Sequence, residues 1–165
     1  MGFFGKLFGK AAEKDDHDIY APMEGQAVPV SQVPDPTFSR GMLGRGIAII
    51  PADGRVYAPC SATVDMMFTT GHAVSLTADS GAEILIHVGL ETVGLEGKYF
   101  TAHVQNGQKV HRGDLLMEAD LEGIRSAGLN IITPVLVCNS DDFGTFKPLV
   151  DQSVTNADVI IRLAK

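Results

Sequence analysis

The sequence contains no tryptophan and only two cysteines. Cys60 and Cys138 stand 78 residues apart with no CxxC spacing, so neither a zinc-binding nor a redox motif is indicated. Each lies in an apolar run, the usual setting of a reduced, buried thiol. No window approaches the roughly 18 uninterrupted apolar residues of a membrane-spanning helix. Positive charge is in deficit: thirteen Lys and Arg oppose twenty Asp and Glu, a formal net charge of −7. A chain this acidic lacks the cations that displace counterions from a phosphate backbone, which argues against nucleic acid as a partner. No secretory signal opens the chain, because Lys6 and Lys10 break the first apolar stretch; the reading is a cytoplasmic protein. Glycine, by contrast, is abundant at 18 of 165 residues. Without a short repeat, that excess implies many tight turns and a β-rich fold. Apolar residues at 45% and charged residues at 20% suit one ordinary globular domain.

Residues 1–18, MGFFGKLFGKAAEKDDHD, form a separate segment. On a helical wheel Phe4, Leu7, Phe8 and Ala11 share one side, flanked by Lys6 and Lys10, with Gly2, Gly5 and Gly9 opposite. Residues 1–14 carry three Lys and one Glu, net +2, leaving −9 on the remainder. A short basic amphipathic segment on an acidic domain is the pattern of an interfacial membrane anchor. Phe3, Phe4, Lys6, Leu7, Phe8 and Lys10 are the candidate contacts. The glycines disfavour an isolated helix, so helix is expected only against a surface. The competing reading is a frayed tail.

From residue 19 to 165 one domain is expected. Its apolar residues come in runs of four to six between Gly, Pro, Asp and Asn: Gly46–Ile50, Glu83–Val88, Ile131–Val137 and Asp158–Leu163. Such turn-bounded, β-branched runs are strands. Asp53-Gly54 and Ser80-Gly81 read as hairpin turns. Only Asp120–Ala127 has helical character, stopped by Gly128. Ile19-Tyr20-Ala21-Pro22 returns as Val56-Tyr57-Ala58-Pro59, and more faintly as Ile132-Thr133-Pro134-Val135, which suggests a duplicated β motif. Proline within such runs places them at edges or strand starts.

Two of the five histidines stand out. His72 and His87 flank two strand-like runs joined by Asp79-Ser80-Gly81-Ala82. A two- or four-residue loop makes paired numbers sum to 161, sets Gly89 opposite His72 and puts both imidazoles on one face. Gly89 would then leave open space above the pair. An odd loop would separate the rings. Paired imidazoles can bind a metal, though no convincing third ligand is seen, since His103 and His111 lie outside the hairpin. They can also do nucleophilic chemistry, one ring attacking phosphorus and the other stabilising the transferred group. Thr70 is placed to fix the tautomer of His72. Two polar residues on a partly exposed sheet is the plain alternative. A biotin- or lipoyl-type carrier would need a lysine at a hairpin tip, and neither Asp79–Ala82 nor Asp53-Gly54 has one.

The string Ile84-Leu85-Ile86-His87-Val88-Gly89-Leu90-Glu91-Thr92-Val93 resembles the active-site motif of the glucose-family enzyme IIA proteins of the bacterial phosphoenolpyruvate-dependent sugar phosphotransferase system. Thr70-Gly71-His72-Ala73, Val33-Pro34-Asp35, Gly46–Ile49, Thr133-Pro134-Val135 and the Gly107–Asp114 turn match as well, so the resemblance spans about residues 18–165. It implies an all-β, antiparallel sandwich or barrel-like fold with a duplicated motif and only short helices. It implies that His87 accepts a phosphoryl group on Nε2 from the phosphohistidine carrier HPr and passes it to a cysteine of a permease IIB domain. His72 would stabilise that group and Thr70 would orient His72. Asp35, Phe38, Met42, Leu43, Phe68, Glu91 and Val93 would form the docking face, an apolar ring with two rim carboxylates. Glu91 replaces the family's usual aspartate, keeping the charge about one methylene further out; Gly71 replaces a larger polar residue. No cofactor is required. Zinc is expected only between His72, His87 and a partner's carboxylate, when the protein regulates others. The resemblance leaves two roles, relay and regulatory binding switched by the state of His87. A zinc hydrolase is a further rival, and a monomer is expected.

Overall fold

The apolar runs form strands whose successive side chains face opposite sides, and the central ones are buried on both faces of the sheet that carries the site. The computed structural model describes residues 17–165. The amphipathic stripe read at residues 3–10 lies outside the described residues. The strands are β1 (Asp18–Tyr20), β2 (Gly25–Pro29), β3 (Arg45–Pro51), β4 (Arg55–Tyr57), β5 (Ala62–Met67), β6 (Ala73–Ala78) and β7 (Glu83–His87). They continue as β8 (Phe100–Ala102), β9 (Lys109–Val110), β10 (Leu115–Ala119), β11 (Thr133–Val137), β12 (Thr145–Pro148), β13 (Gln152–Val154) and β14 (Val159–Ala164). Two short helices interrupt them, α1 (Pro36–Ser39) and α2 (Leu121–Ser126). The expected helix is thus found. Asp120 caps it by accepting the Gly123 N–H at 3.0 Å.

All strand pairings are antiparallel. An eight-stranded sheet runs β13-β2-β3-β11-β7-β6-β5-β9, and two three-stranded sheets run β1-β14-β12 and β4-β10-β8. Ile47, Ile49, Ile84, Ile86, Val135 and Val137 point from the large sheet into the main core, where they meet Ile160 of β14 and Val56 and Leu116 of the third sheet. The residues between them face the other way. Ala48, Leu136 and Leu85 join Val28, Val33, Phe38, Leu90 and Ile132 in a smaller cluster on the outer face. That second layer is the floor on which α1 and the histidines sit.

The repeat read in the sequence is a symmetric structure. The Tyr20 N–H donates to Pro59 C=O at 2.9 Å, and the Tyr57 N–H donates to Pro22 C=O at 2.8 Å. The duplication reaches further than the four-residue string. Ala21 N–H donates to Asp158 C=O and Ala58 N–H to Asp114 C=O, each at 2.8 Å. Both aspartates cap their turns in the same way, accepting the N–H three residues earlier, from Thr155 and His111.

Three local expectations fail. Ile132–Val135 is no third copy; it enters β11, between β3 and β7 in the large sheet. Pro134 is tolerated there as the second residue of its strand. Asp53-Gly54 closes no hairpin, because β3 and β4 belong to different sheets and the turn carries the chain across to β10, where Gly54 C=O accepts the Ala119 N–H at 2.8 Å. Cys60 is buried as expected, but Cys138 is exposed, since it follows the last residue of β11.

Candidate functional site

The β6–β7 register pairs Ala73 with His87, Val74 with Ile86 and Thr77 with Glu83, so paired numbers sum to 160. The loop is therefore odd, closed by the Ala78 N–H on Ala82 C=O at 2.8 Å. Gly89 is not opposite His72; Val88 is, donating its N–H to His72 C=O at 2.8 Å. By parity alone the two imidazoles should lie on opposite faces. They meet nonetheless, with ring centroids 4.9 Å apart and planes at 80°. The pleat explains this, because it stops at Ala73, the first residue of β6. His72 is the last residue of the tight β5–β6 connection, where Phe68 N–H donates to Ala73 C=O at 3.1 Å and Gly71 has φ 72°. That left-handed glycine turns the chain and frees His72 from the strand's alternation.

His87 ends β7 with its ring anchored. Its Nδ1 lies 2.7 Å from Gly89 C=O, and a carbonyl can only accept, so Nδ1 carries the proton and Nε2 keeps a lone pair. The space above Gly89 is not open. A Cβ there would meet Thr92 Cγ2 at 2.7 Å and Asn130 O at 3.0 Å, and φ is 78°. The useful group at this position is the carbonyl, which residue typing does not reveal.

His72 is only 3% exposed, with Nδ1 2.6 Å from Thr70 Oγ1. Burial, and secondarily the neighbouring His87, lower its pKa from 6.5 to about 4. Burial lowers His87 too, opposed by its hydrogen bond to Gly89 and by the negative charge of Asp35. His72 is thus neutral near pH 7, beside a His87 whose burial also favours the neutral ring. Two aromatic rings enclose the pair: Phe38 lies 5.1 Å from His87 and Phe68 5.4 Å from His72, centroid to centroid.

The other expected docking residues divide. Met42, Leu43 and Val93 are exposed, at 69%, 41% and 55%. Phe68 is half-buried. Phe38 is not a rim residue, at 5% exposure; it is the outer cluster's contact with His87. Asp35 caps α1, its carboxylate accepting the Thr37 N–H at 3.0 Å. Glu91 is exposed with φ 59°, turning the chain out of β7 into the Thr92–Leu95 turn. Leu85, within the Ile84–Val93 motif, packs against the same outer cluster. His103 instead faces Glu118 at 2.6 Å, and His111 lies 3.9 Å from Asp114. Among the described residues no three His, Cys, Asp or Glu side chains form a metal-binding group. Also among them, no helix is long and apolar enough to cross a membrane.

An antiparallel β-sandwich here presents a free imidazole nitrogen beside a second, neutral imidazole and exposed apolar side chains, an arrangement suited to histidine-based group transfer. Residues 17–143 match the family described as phosphoenolpyruvate-dependent sugar phosphotransferase system, EIIA 1, and the chain belongs to it. It thus carries the EIIA unit of that system. It is 45% identical over 151 residues to a glucose-specific EIIA component of Halalkalibacterium halodurans, covering 87% of each chain. It is 46% identical over 154 residues to a mannose-specific EIIBCA component of Corynebacterium glutamicum, covering 93% of this chain and 22% of that one. The chain thus spans about a fifth of its fused relatives. The structure of glucose permease IIA from Mycoplasma capricolum superposes with a TM-score of 0.81 at 32% identity, covering 87% of this chain and 93% of that one.

Proposed function

We propose that the protein is a phosphocarrier in which His87 Nε2 accepts a phosphoryl group from the phosphohistidine carrier HPr and gives it to a cysteine of a permease IIB domain. The observation that supports this best is the Gly89 carbonyl on Nδ1, which leaves the Nε2 lone pair free beside a second ring. In the first step that lone pair forms a bond to phosphorus, the donor's P–N bond breaks, and its electron pair returns to the donor imidazole. In the second, a cysteine thiolate forms the P–S bond and the electron pair of the His87 P–N bond returns to Nε2. Little covalent work falls to the protein, so positioning and charge stabilisation do most of it.

His72 supplies the charge stabilisation. With the Thr70 hydroxyl donating to Nδ1, the proton of neutral His72 sits on Nε2 and can be donated to a phosphoryl oxygen. The arriving negative charge raises the ring's affinity for a second proton. Met42, Leu43 and Val93 form the apolar contact for both partners, and Asp35 and Glu91 steer basic groups to it. A regulatory binding role is compatible with the same surface. Adding about −1.5 to −2 charges beside an apolar rim would repel an apolar or acidic partner. Zinc would take two nitrogens from His72 and His87 and its remaining protein ligand from such a partner. Peripheral contact with a membrane surface through residues 1–14, from a cytoplasmic location, belongs to this proposal and rests on sequence alone.

Mixing the protein with phosphoenolpyruvate, enzyme I and HPr and recording intact mass in alkali tests the proposal. The expected result is a gain of one phosphoryl group, lost in His87→Ala and kept in His72→Ala. No gain with active HPr would refute the relay.

A further inference from the structure

Thr92 is one of few buried polar side chains in the described structure and is completely shielded from solvent. It lies neither in a strand nor in a helix of ordinary length, but opens the short turn Thr92–Leu95 that follows the left-handed Glu91. Its hydroxyl donates to Val88 C=O at 2.6 Å, spanning the loop that leaves β7. Its methyl stands where a side chain on Gly89 would have to go. The same loop is pinned at two further points: Val88 N–H donates to His72 C=O at 2.8 Å, and Leu90 N–H donates to Asn130 C=O at 2.9 Å.

These bonds fix three consecutive peptide planes, 87–88, 88–89 and 89–90. The unit joining Gly89 and Leu90 is planar and trans, so its N–H and C=O point in opposite directions. Anchoring the Leu90 N–H on Asn130 therefore aims the Gly89 carbonyl the other way, at His87 Nδ1. The preceding carbonyl, that of Val88, is held by Thr92. We infer that Thr92 is a positioning residue: its hydroxyl ties down the loop so that the Gly89 carbonyl stays on Nδ1 and the lone pair of His87 stays on Nε2. The inference rests on the reading of His87 as acceptor for its functional consequence. Its structural content, the tautomer of His87, does not. Without the tie the Val88–Gly89 peptide is released, the Leu90–Asn130 bond alone is left to hold the Gly89 carbonyl, Nδ1 loses its fixed acceptor, and the neutral ring divides between its two tautomers. Only one of them presents a nucleophilic nitrogen toward His72 and the rim.

Two pairs of variants isolate the hydroxyl. Thr92→Val keeps the methyl and drops the hydroxyl. Thr92→Ser does the reverse and is compared with Thr92→Ala, which lacks both. The readout is the tautomer of His87 in the full-length, unphosphorylated protein, from its imidazole nitrogen shifts in 15N-labelled samples at pH 8, alongside the rate of phosphorylation by phospho-HPr. The expected result is an Nδ1–H tautomer in the wild type and Thr92→Ser, and a mixed population in Thr92→Val and Thr92→Ala. Phosphorylation should slow by roughly ten- to a hundredfold in the last two, as when other groups that orient a reacting histidine are removed. An unchanged tautomer in Thr92→Val and Thr92→Ala, whatever happens to stability, would overturn the inference, as would a Thr92→Ser protein that shifts like Thr92→Ala. The Ser–Ala comparison serves alone if the valine variant does not fold. A wild type that takes up no phosphoryl group counts against the acceptor reading only, and the tautomer comparison still decides the role of Thr92.

Discussion

A neutral imidazole buried against another imidazole makes folding sensitive to acid. The pKa of His72 is about 4 in the folded protein against 6.5 ordinarily. Between those values the unfolded chain binds a proton that the folded one refuses, so stability falls as pH drops through that window and levels off below it. His87, also lowered, contributes in the same direction. Urea midpoints should therefore decline from pH 7 to pH 4.5, and His72→Asn should decline less steeply over the same range. Equal slopes would mean that the ring is not held neutral by the fold. The residue scale is also where sequence reading met its limit. Both histidines and Thr70 are legible as a cluster of chemistry-bearing side chains at close spacing. The Gly89 carbonyl is not, because a backbone group has no residue signature. Nor is the juxtaposition of the rings, since parity applies only inside a strand and His72 lies just outside one.

At the scale of elements, α1 does more than its four residues suggest. Asp35 caps it, Pro36 starts it, and Phe38 packs into the outer cluster with its ring against His87. Phe38→Ala should lower stability by about 3 kcal/mol, the usual scale for deleting a buried aromatic ring. It should also admit water to His87 and raise its pKa toward the ordinary value, which an NMR titration of the ring would read. A His87 titration unchanged in that variant would show that burial comes from other walls. Phe38 was expected in the exposed ring because the family resemblance placed it on the docking face, whereas bare residue type reads such a side chain as core, which agrees with its burial. Asp53-Gly54 illustrates a limit of local sequence: the dipeptide codes for a turn, and whether the turn returns to its own sheet or crosses to another is decided by strands 60 residues away, such as β10. The reciprocal Tyr20 and Tyr57 bonds were legible because the repeat is written in both copies; the matching turns at Asp114 and Asp158 share too few side chains to be noticed.

For the molecule as a whole, a chain of net charge −7 exposes Met42, Leu43 and Val93, beside Ile50 and Met66, as large apolar side chains among the described residues. Placing charge at Met42 and Val93 tests whether they belong to the docking face. A Met42→Glu, Val93→Glu double variant should keep its melting behaviour, as exposed substitutions usually change stability by no more than about 0.5 kcal/mol each. Transfer from phospho-HPr should fall by at least about tenfold, the loss of roughly 1.4 kcal/mol of contact. Transfer at the wild-type rate would move the docking face elsewhere. The β-rich character was plain from composition and turn spacing and the sandwich was implied by the family resemblance, whereas the split into one large and two small sheets depends on pairings such as Gly25 with Val154, far apart in sequence.

One of those distant pairings has a mechanical consequence. Asp18 lies beside Arg162 in the β1–β14 ladder, and their side chains are joined at 2.9 Å. The start of the domain's first strand therefore lies beside the end of its last. A chain joined to either end would start from neighbouring positions, so one attachment point would suffice. Such a unit can be freestanding or can be grafted onto a longer protein without being stretched between two attachment points. Both arrangements occur among its relatives, where it matches nearly all of one chain and about a fifth of another.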